Sequence, residues 1–421
     1  MTIQDLDADQ RAVLQRRVIR VLTAGQIVGG LATAIAVTIG AFVVQEAWGD
    51  DTAWGGLAVA TVTVGSGVMS RVLSTRMVRR GRRPGLATGY GVAALGGVIA
   101  AAGAEWVNLP LFVLGLFVFS NGQAANLLAR YVAADLAEPA QRGRAISRVV
   151  FASTFGAVFG PLLIGPAQRA GEAFGFGTYT GPWLAGALFF ALAGTNIAVR
   201  LRPDPLVVTG GVDPDARRAD VPRLSAVFGV ISASPGARVA LLAMVVSQAA
   251  MVAVMTMTPV HMRIHGHESL SHYVISLHIA GMFAFSPLVG RFADRRGRET
   301  TILIGAAILG SSTVLAALSG NGPVLLFPAL FALGVGWNFG LIGGSTLLTE
   351  SVPEDDRVRV QGAADFAMSV LGGLAGFSSG FVRSALGFSM LSHLASVLAI
   401  TLLAVATVHL IGQRRLASLG A

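Results

Sequence analysis

Residues Gly290–Arg298 read "GRFADRRGR" and lie between two long apolar stretches, 270–292 and 299–319. Gly297 suits a tight turn, and Arg291, Arg295, Arg296 and Arg298 crowd around a single acid, Asp294. An aspartate so placed can meet those arginines or the positive end of a helix. Each flanking stretch can cross a hydrocarbon core about 30 Å thick. The nonapeptide therefore reads as a short basic turn joining two membrane spans.

The pattern repeats outward along the chain. Of 421 residues, 53% are hydrophobic and 13% charged, and the mean hydropathy is +0.68. A soluble chain carries roughly twice that charged fraction. Twelve spans are expected, near 19–45, 54–75, 85–105, 109–133, 145–168, 179–200, 237–261, 270–292, 299–319, 323–349, 360–385 and 388–411. The longest polar gap, 202–236, separates an N-terminal six-span domain, 1–201, from a C-terminal one, 237–421. No cleavable leader is expected, because the first apolar run exceeds signal-peptide length.

All basic residues are arginine, and all but Arg169, Arg263 and Arg383 fall on the face that holds both termini. The positive-inside rule makes that face cytoplasmic. The net charge of +9 thus follows from topology, and no nucleic-acid partner is expected. With no cysteine, disulfides and thiolate metal sites are excluded. Arginine without lysine, in an Ala-, Gly- and Val-rich chain, points to a GC-rich bacterial genome and so to a bacterial inner membrane.

The Gly290–Arg298 turn closely resembles the signature loop of the major facilitator superfamily. That resemblance implies an all-α membrane protein of two pseudo-symmetric six-helix bundles that works by alternating access. Gly290, Asp294, Arg295, Gly297 and Arg298 would serve gating. The first-half counterpart, "STRMVRRGRRPG", has Val78 where the acid belongs. Span five carries Gly156, Gly160, Pro161 and Gly165, similar to the superfamily's antiporter motif; the glycines suit close helix packing and Pro161 is expected to bend the helix. Gly372, Gly376 and Gly380 form a comparable seam in span eleven.

A second feature concerns cargo. The stretch 251–267, "MVAVMTMTPVHMRIHGH", holds four Met and three His. At about 100° per residue, Met244, Met251, Met255 and Met262 share one face of span seven, with Gln248 beside them. Pro259 is placed to kink that span. His278 and Met282 are one turn apart in span eight. A methionine stripe most often serves packing. Buried imidazole is a functional candidate by default, and thioether with imidazole suits copper.

M-x-x-x-M at Met251 and Met255, followed by H-x-x-x-M at His278 and Met282, resembles the CcoA-like copper transporters of the superfamily. That resemblance implies copper import, with these four residues as ligands and copper as transported substrate rather than a resident cofactor. His261, Met262, His265 and His267, with His272, would gather the ion at an outward loop, and Met244 would extend the stripe.

Asp365 begins span eleven and would carry a coupling proton or pair with Arg357 or Arg359. Asn121, Gln123, Asn126 and Arg130 in span four would line a cavity or bond neighbouring helices. His393 is expected to pack. A monomer in a lipid bilayer is expected, with no enzymatic constellation. The rival function is drug/proton antiport, although Val118 stands where drug antiporters carry an arginine.

Overall fold

The structure, a computed structural model, describes residues 7–48, 57–212 and 223–419. Among them all regular secondary structure is helical. The helices are α1 (Ala8–Trp48), α2 (Leu57–Arg80), α3 (Arg82–Glu105), α4 (Leu109–Val132), α5 (Arg142–Phe159), α6 (Ile164–Ala173), α7 (Thr180–Arg200), α8 (Pro205–Val208), α9 (Leu224–Ala233), α10 (Pro235–Ile264), α11 (Glu268–Phe283), α12 (Ser286–Arg296), α13 (Arg298–Ala317), α14 (Leu326–Glu350) and α15 (Glu354–Leu419).

Eleven helical stretches among the described residues are long and apolar enough to cross a membrane. The last, Glu354–Gln413, is two successive spans, because Gly387 at φ 84° and ψ 167° breaks the helical path. That region of backbone space is essentially glycine's alone.

The bend expected at Pro161 is present, and two details depart from the sequence reading, a division within span eight and helices within 202–236. Span five is α5 and α6 with a 3₁₀ turn at Pro161–Leu163 between them, since proline supplies no amide hydrogen to continue the helix. Span eight is likewise divided into α11 and α12, with Pro287 in the first turn of α12. By contrast, α10 runs on through Pro259 to Ile264. The 202–236 segment, read as a loop, holds α8 and α9 among its described residues, and Ser234 caps α10 by accepting from the Ala237 amide at 3.3 Å.

Two compact units divide the chain, the first 1–137 with 152–222 and the second 138–151 with 223–421. In the first unit α3 packs on α4 and α7, α2 on α4, and α1 on α7. Backbones meet closely at the α3–α4 crossing, where a side chain at Gly103 would strike Phe112 and one at Gly115 would strike Ala100. The core there is aromatic: Trp183 meets Phe112 at 5.2 Å and Phe119 at 5.5 Å, both edge-on. Gly156 lies against the Gly30 backbone and Gly160 against Ala34, so these two glycines serve packing, whereas Gly165 meets no neighbouring helix closely.

A buried ion pair anchors one end of this unit. Arg82, fully buried, donates to both carboxylate oxygens of Asp135 at 2.8 and 3.0 Å. The acid missing at Val78 has a substitute: Asp204 accepts from the amides of Arg82 and Arg83 at 3.1 and 2.7 Å. An acid from a distant point of the chain thus caps the N-terminus of α3.

In the second unit α10 packs on α15 and α14, α13 on α14 and α15, and α11 on α14. α14 is the most enclosed of these helices, with Leu330, Gly334, Trp337, Asn338, Gly340 and Gly344 all buried.

Candidate substrate site

α14 sets the depth of its neighbours. A side chain at Gly344 would meet Met244, one at Gly340 would meet Ser247, and Trp337 donates its indole N–H to Gln248 at 2.7 Å. α10 and α14 are therefore antiparallel and in close contact. Continuing that register one and two turns beyond Gln248 brings Met251 and Met255 to the depth of Leu330–Gly334.

From its other flank α11 reaches the same stretch. The His278 Nδ1–H donates to the Leu330 carbonyl at 2.8 Å. A side chain at Gly281 would meet the backbone of Phe331, Gly334 and Val335, and one at Gly334 would meet the backbone of His278 and Met282. α10 and α11 also touch directly. Met251, Met255, His278 and Met282 thus lie at one depth on two adjoining helices.

His278 is the chemically distinctive member. It is 0% exposed, and its Nε2 has no hydrogen-bond partner. A carbonyl can only accept, so the Leu330 bond places the proton on Nδ1 and leaves a lone pair on Nε2. That is the tautomer and orientation in which histidine ligates metals, its second nitrogen donating to a backbone carbonyl. Met251 is buried, whereas Met255 and Met282 are half-buried. Among the described residues no group of three or more His, Asp or Glu gathers for a metal ion, so thioethers would have to supply most of the donors.

The outer residues form a different neighbourhood. Met244 and Met262 are both buried but eighteen positions apart on one helix, about 27 Å along its axis, too far to share a site. His261 and His265 come together with ring centres 4.4 Å apart. His267 falls at the turn between α10 and α11, its amide donating to the Met262 carbonyl at 2.8 Å. The His272 side chain lies outside the described residues.

The Gly290–Arg298 turn is built as its sequence suggests. Gly297 adopts φ 92° and ψ 154°. Asp294 accepts from the amides of Gly143 and Arg144, each at 2.9 Å, and so caps the N-terminus of α5. Arg298 reaches Asp294 at 3.4 Å and Glu350 at 3.0 Å. Any side chain at Gly290 would strike Ser147 and the Gly143 carbonyl. Arg295 is exposed.

Asp365 is fully buried and engaged. Arg357 pairs with Glu354 at 3.2 Å and Arg359 with Asp356 at 3.8 Å. Of the span-four polar residues, Asn126 bonds across helices, accepting from the Tyr90 hydroxyl at 2.8 Å, while Asn121 donates to its own Val118 carbonyl at 2.9 Å. His393 does not pack as expected: it is exposed on a face shared with Leu394 and Val397. The reading from sequence missed Trp337, which joins Gln248 and meets Phe283 edge-on at 5.6 Å. A tryptophan inside an apolar span was a signal for it.

The sequence pattern of the Major Facilitator Superfamily matches residues 21–377. This chain belongs to that superfamily. It is 34% identical over 400 residues to the uncharacterized MFS-type transporter YdeG of Bacillus subtilis, covering 94% of this chain and 93% of the relative. It is 30% identical over 386 residues to the riboflavin transporter RfnT of Brucella anthropi, covering 91% and 93%. The human organic anion transporter MFSD10 superposes with a TM-score of 0.77 at 14% identity, covering 93% of this chain and 99% of that one, a likeness of fold. The facilitator described here is therefore a multi-pass secondary transporter and not an enzyme.

Proposed function

We propose that this facilitator carries copper across a bacterial inner membrane, both termini cytoplasmic, with Met251, Met255, His278 and Met282 holding the ion in transit. The observation that carries this reading is His278: a fully buried imidazole with Nδ1 committed to Leu330 and Nε2 unpaired. Burying a polar atom without a partner costs about 1–3 kcal/mol, which a cargo ion would relieve on binding. Thioethers at the same depth favour Cu(I) over harder ions. Import rests on the copper-transporter resemblance, and Asp365 would carry the coupling proton.

A second reading has support of its own. Trp337, Gln248 and Phe283 present an indole, an amide and a phenyl ring on the same walls, and one full-length relative is a riboflavin transporter. A planar aromatic solute would stack there and bond the amide.

Uptake in cells that lack their own importers separates the two. Copper accumulation should fall to background in His278→Ala and Met255→Ala, with riboflavin uptake at background throughout. Riboflavin uptake abolished by Trp337→Ala, with copper uptake indifferent to His278, would establish the second reading instead.

A further inference from the structure

His261 and His265 share a half-open cavity of about 320 Å³ bounded by the C-terminal end of α10, the turn after α13 and the Gly387 break in α15. His261, His265, Asn321, Arg383 and Phe388 line it, and among its described lining residues there is no Asp or Glu. The Arg383 Nε is buried and has no hydrogen-bond partner. The histidines are held in place. The His261 Nε2–H donates to the Gly320 carbonyl at 2.9 Å, and its ring stacks on Phe388 at 4.3 Å. The His265 Nδ1–H donates to the His261 carbonyl at 2.8 Å, which leaves its Nε2 edge unengaged.

A fixed guanidinium repels a metal cation and attracts an oxyanion. With no carboxylate among the described lining residues, Arg383 makes this cavity the wrong sign for copper.

We propose that the cavity is an oxyanion site that takes a phosphate group. Arg383 supplies the charge and the planar fork of donors. His265, with Nδ1–H committed to the His261 carbonyl, donates from Nε2 when protonated, and the Asn321 amide adds a third donor. The phosphate has two possible sources: free in solution, or the headgroup of a phospholipid. Phe381, Leu386 and Met390 are exposed on α15 on either side of Arg383 and the Gly387 break, where acyl chains would lie.

The test uses the purified full-length transporter in detergent. One arm measures thermal melting against inorganic phosphate, with chloride at matched ionic strength as reference. The other counts phosphatidylglycerol retained in native mass spectrometry, with diacylglycerol as the phosphate-free control. A saturable melting shift that weakens roughly tenfold or more in Arg383→Gln, the scale of one charge-assisted hydrogen bond, identifies a free anion. Retained phosphatidylglycerol, lost in Arg383→Gln without any phosphate shift, identifies a lipid headgroup. If Arg383→Gln does not melt in chloride as the parent does, Asn321→Asp serves instead, since it sets a carboxylate in the cavity and should give the same loss. Binding of neither probe, binding unchanged in both variants, or His265-dependent Cu(I) binding that strengthens in Arg383→Gln would each overturn the proposal.

Discussion

Gly334→Ala puts one methyl group where α14 has none. That methyl would fall on the His278 carbonyl and 2.8 Å from the Met282 amide nitrogen, both backbone atoms of a packed helix that cannot rotate aside. Restoring ordinary contact near 3.5–4.0 Å requires α11 to move away by roughly 1 Å. The bond from His278 Nδ1 to Leu330, now 2.8 Å, would then stretch beyond hydrogen-bonding range. Overpacking of this kind costs about 1–3 kcal/mol and the lost bond about 1 kcal/mol more, so roughly 2–4 kcal/mol together. Reversible unfolding of the purified protein in mixed micelles of rising SDS fraction reads this directly. Gly310→Ala is the matched control, because a methyl there would meet Ala399 at an ordinary 3.6 Å. It should lose no stability and gain up to about 1 kcal/mol, the helix preference of alanine over glycine. Under the proposed copper reading, uptake should fall in Gly334→Ala as is expected of His278→Ala, since the imidazole loses the bond that aims it. A Gly334→Ala protein as stable as Gly310→Ala, with uptake intact, would refute the claim that this backbone contact positions His278.

The remaining predictions concern charge. Asp294→Asn keeps one acceptor but turns an amide N–H₂ toward the α5 amides, so it should lose about 1.5–3 kcal/mol by the same unfolding assay. Asp356→Asn, which breaks a partly exposed 3.8 Å pair with Arg359, should lose less than about 1 kcal/mol. Arg82→Met removes the guanidinium that donates to both Asp135 oxygens and should cost about 1.5–3 kcal/mol, the scale of a lost charge-assisted bond. The double substitution Arg82→Met with Asp135→Asn should recover part of that loss, because the amide at 135 needs no counter-charge from position 82.

The spans were legible because hydropathy is a local property, and the break near 385–388 coincides with Gly387, whose backbone no side chain tolerates. Pro161 marked the bend in span five, whereas the division inside span eight was less visible, since hydropathy continues through Pro287 while the helical hydrogen bonding does not. The Asp294 cap was anticipated in kind, as an acid at a helix N-terminus, but which helix it caps was not. The substitute at α3 was not anticipated at all, because Asp204 lies more than 120 positions from the amides it meets.

By itself the sequence determined the solvent, the number of crossings, the signature turn and the shared face of the methionines, since each follows from residue type at fixed spacing along a helix. Only tertiary structure decided that α10 and α11 reach one depth through α14, that His278 has one committed and one idle nitrogen, and that His261 and His265 share a cavity with Arg383. These depend on which backbones can approach closely, and that is settled by glycine contacts between helices far apart in the chain.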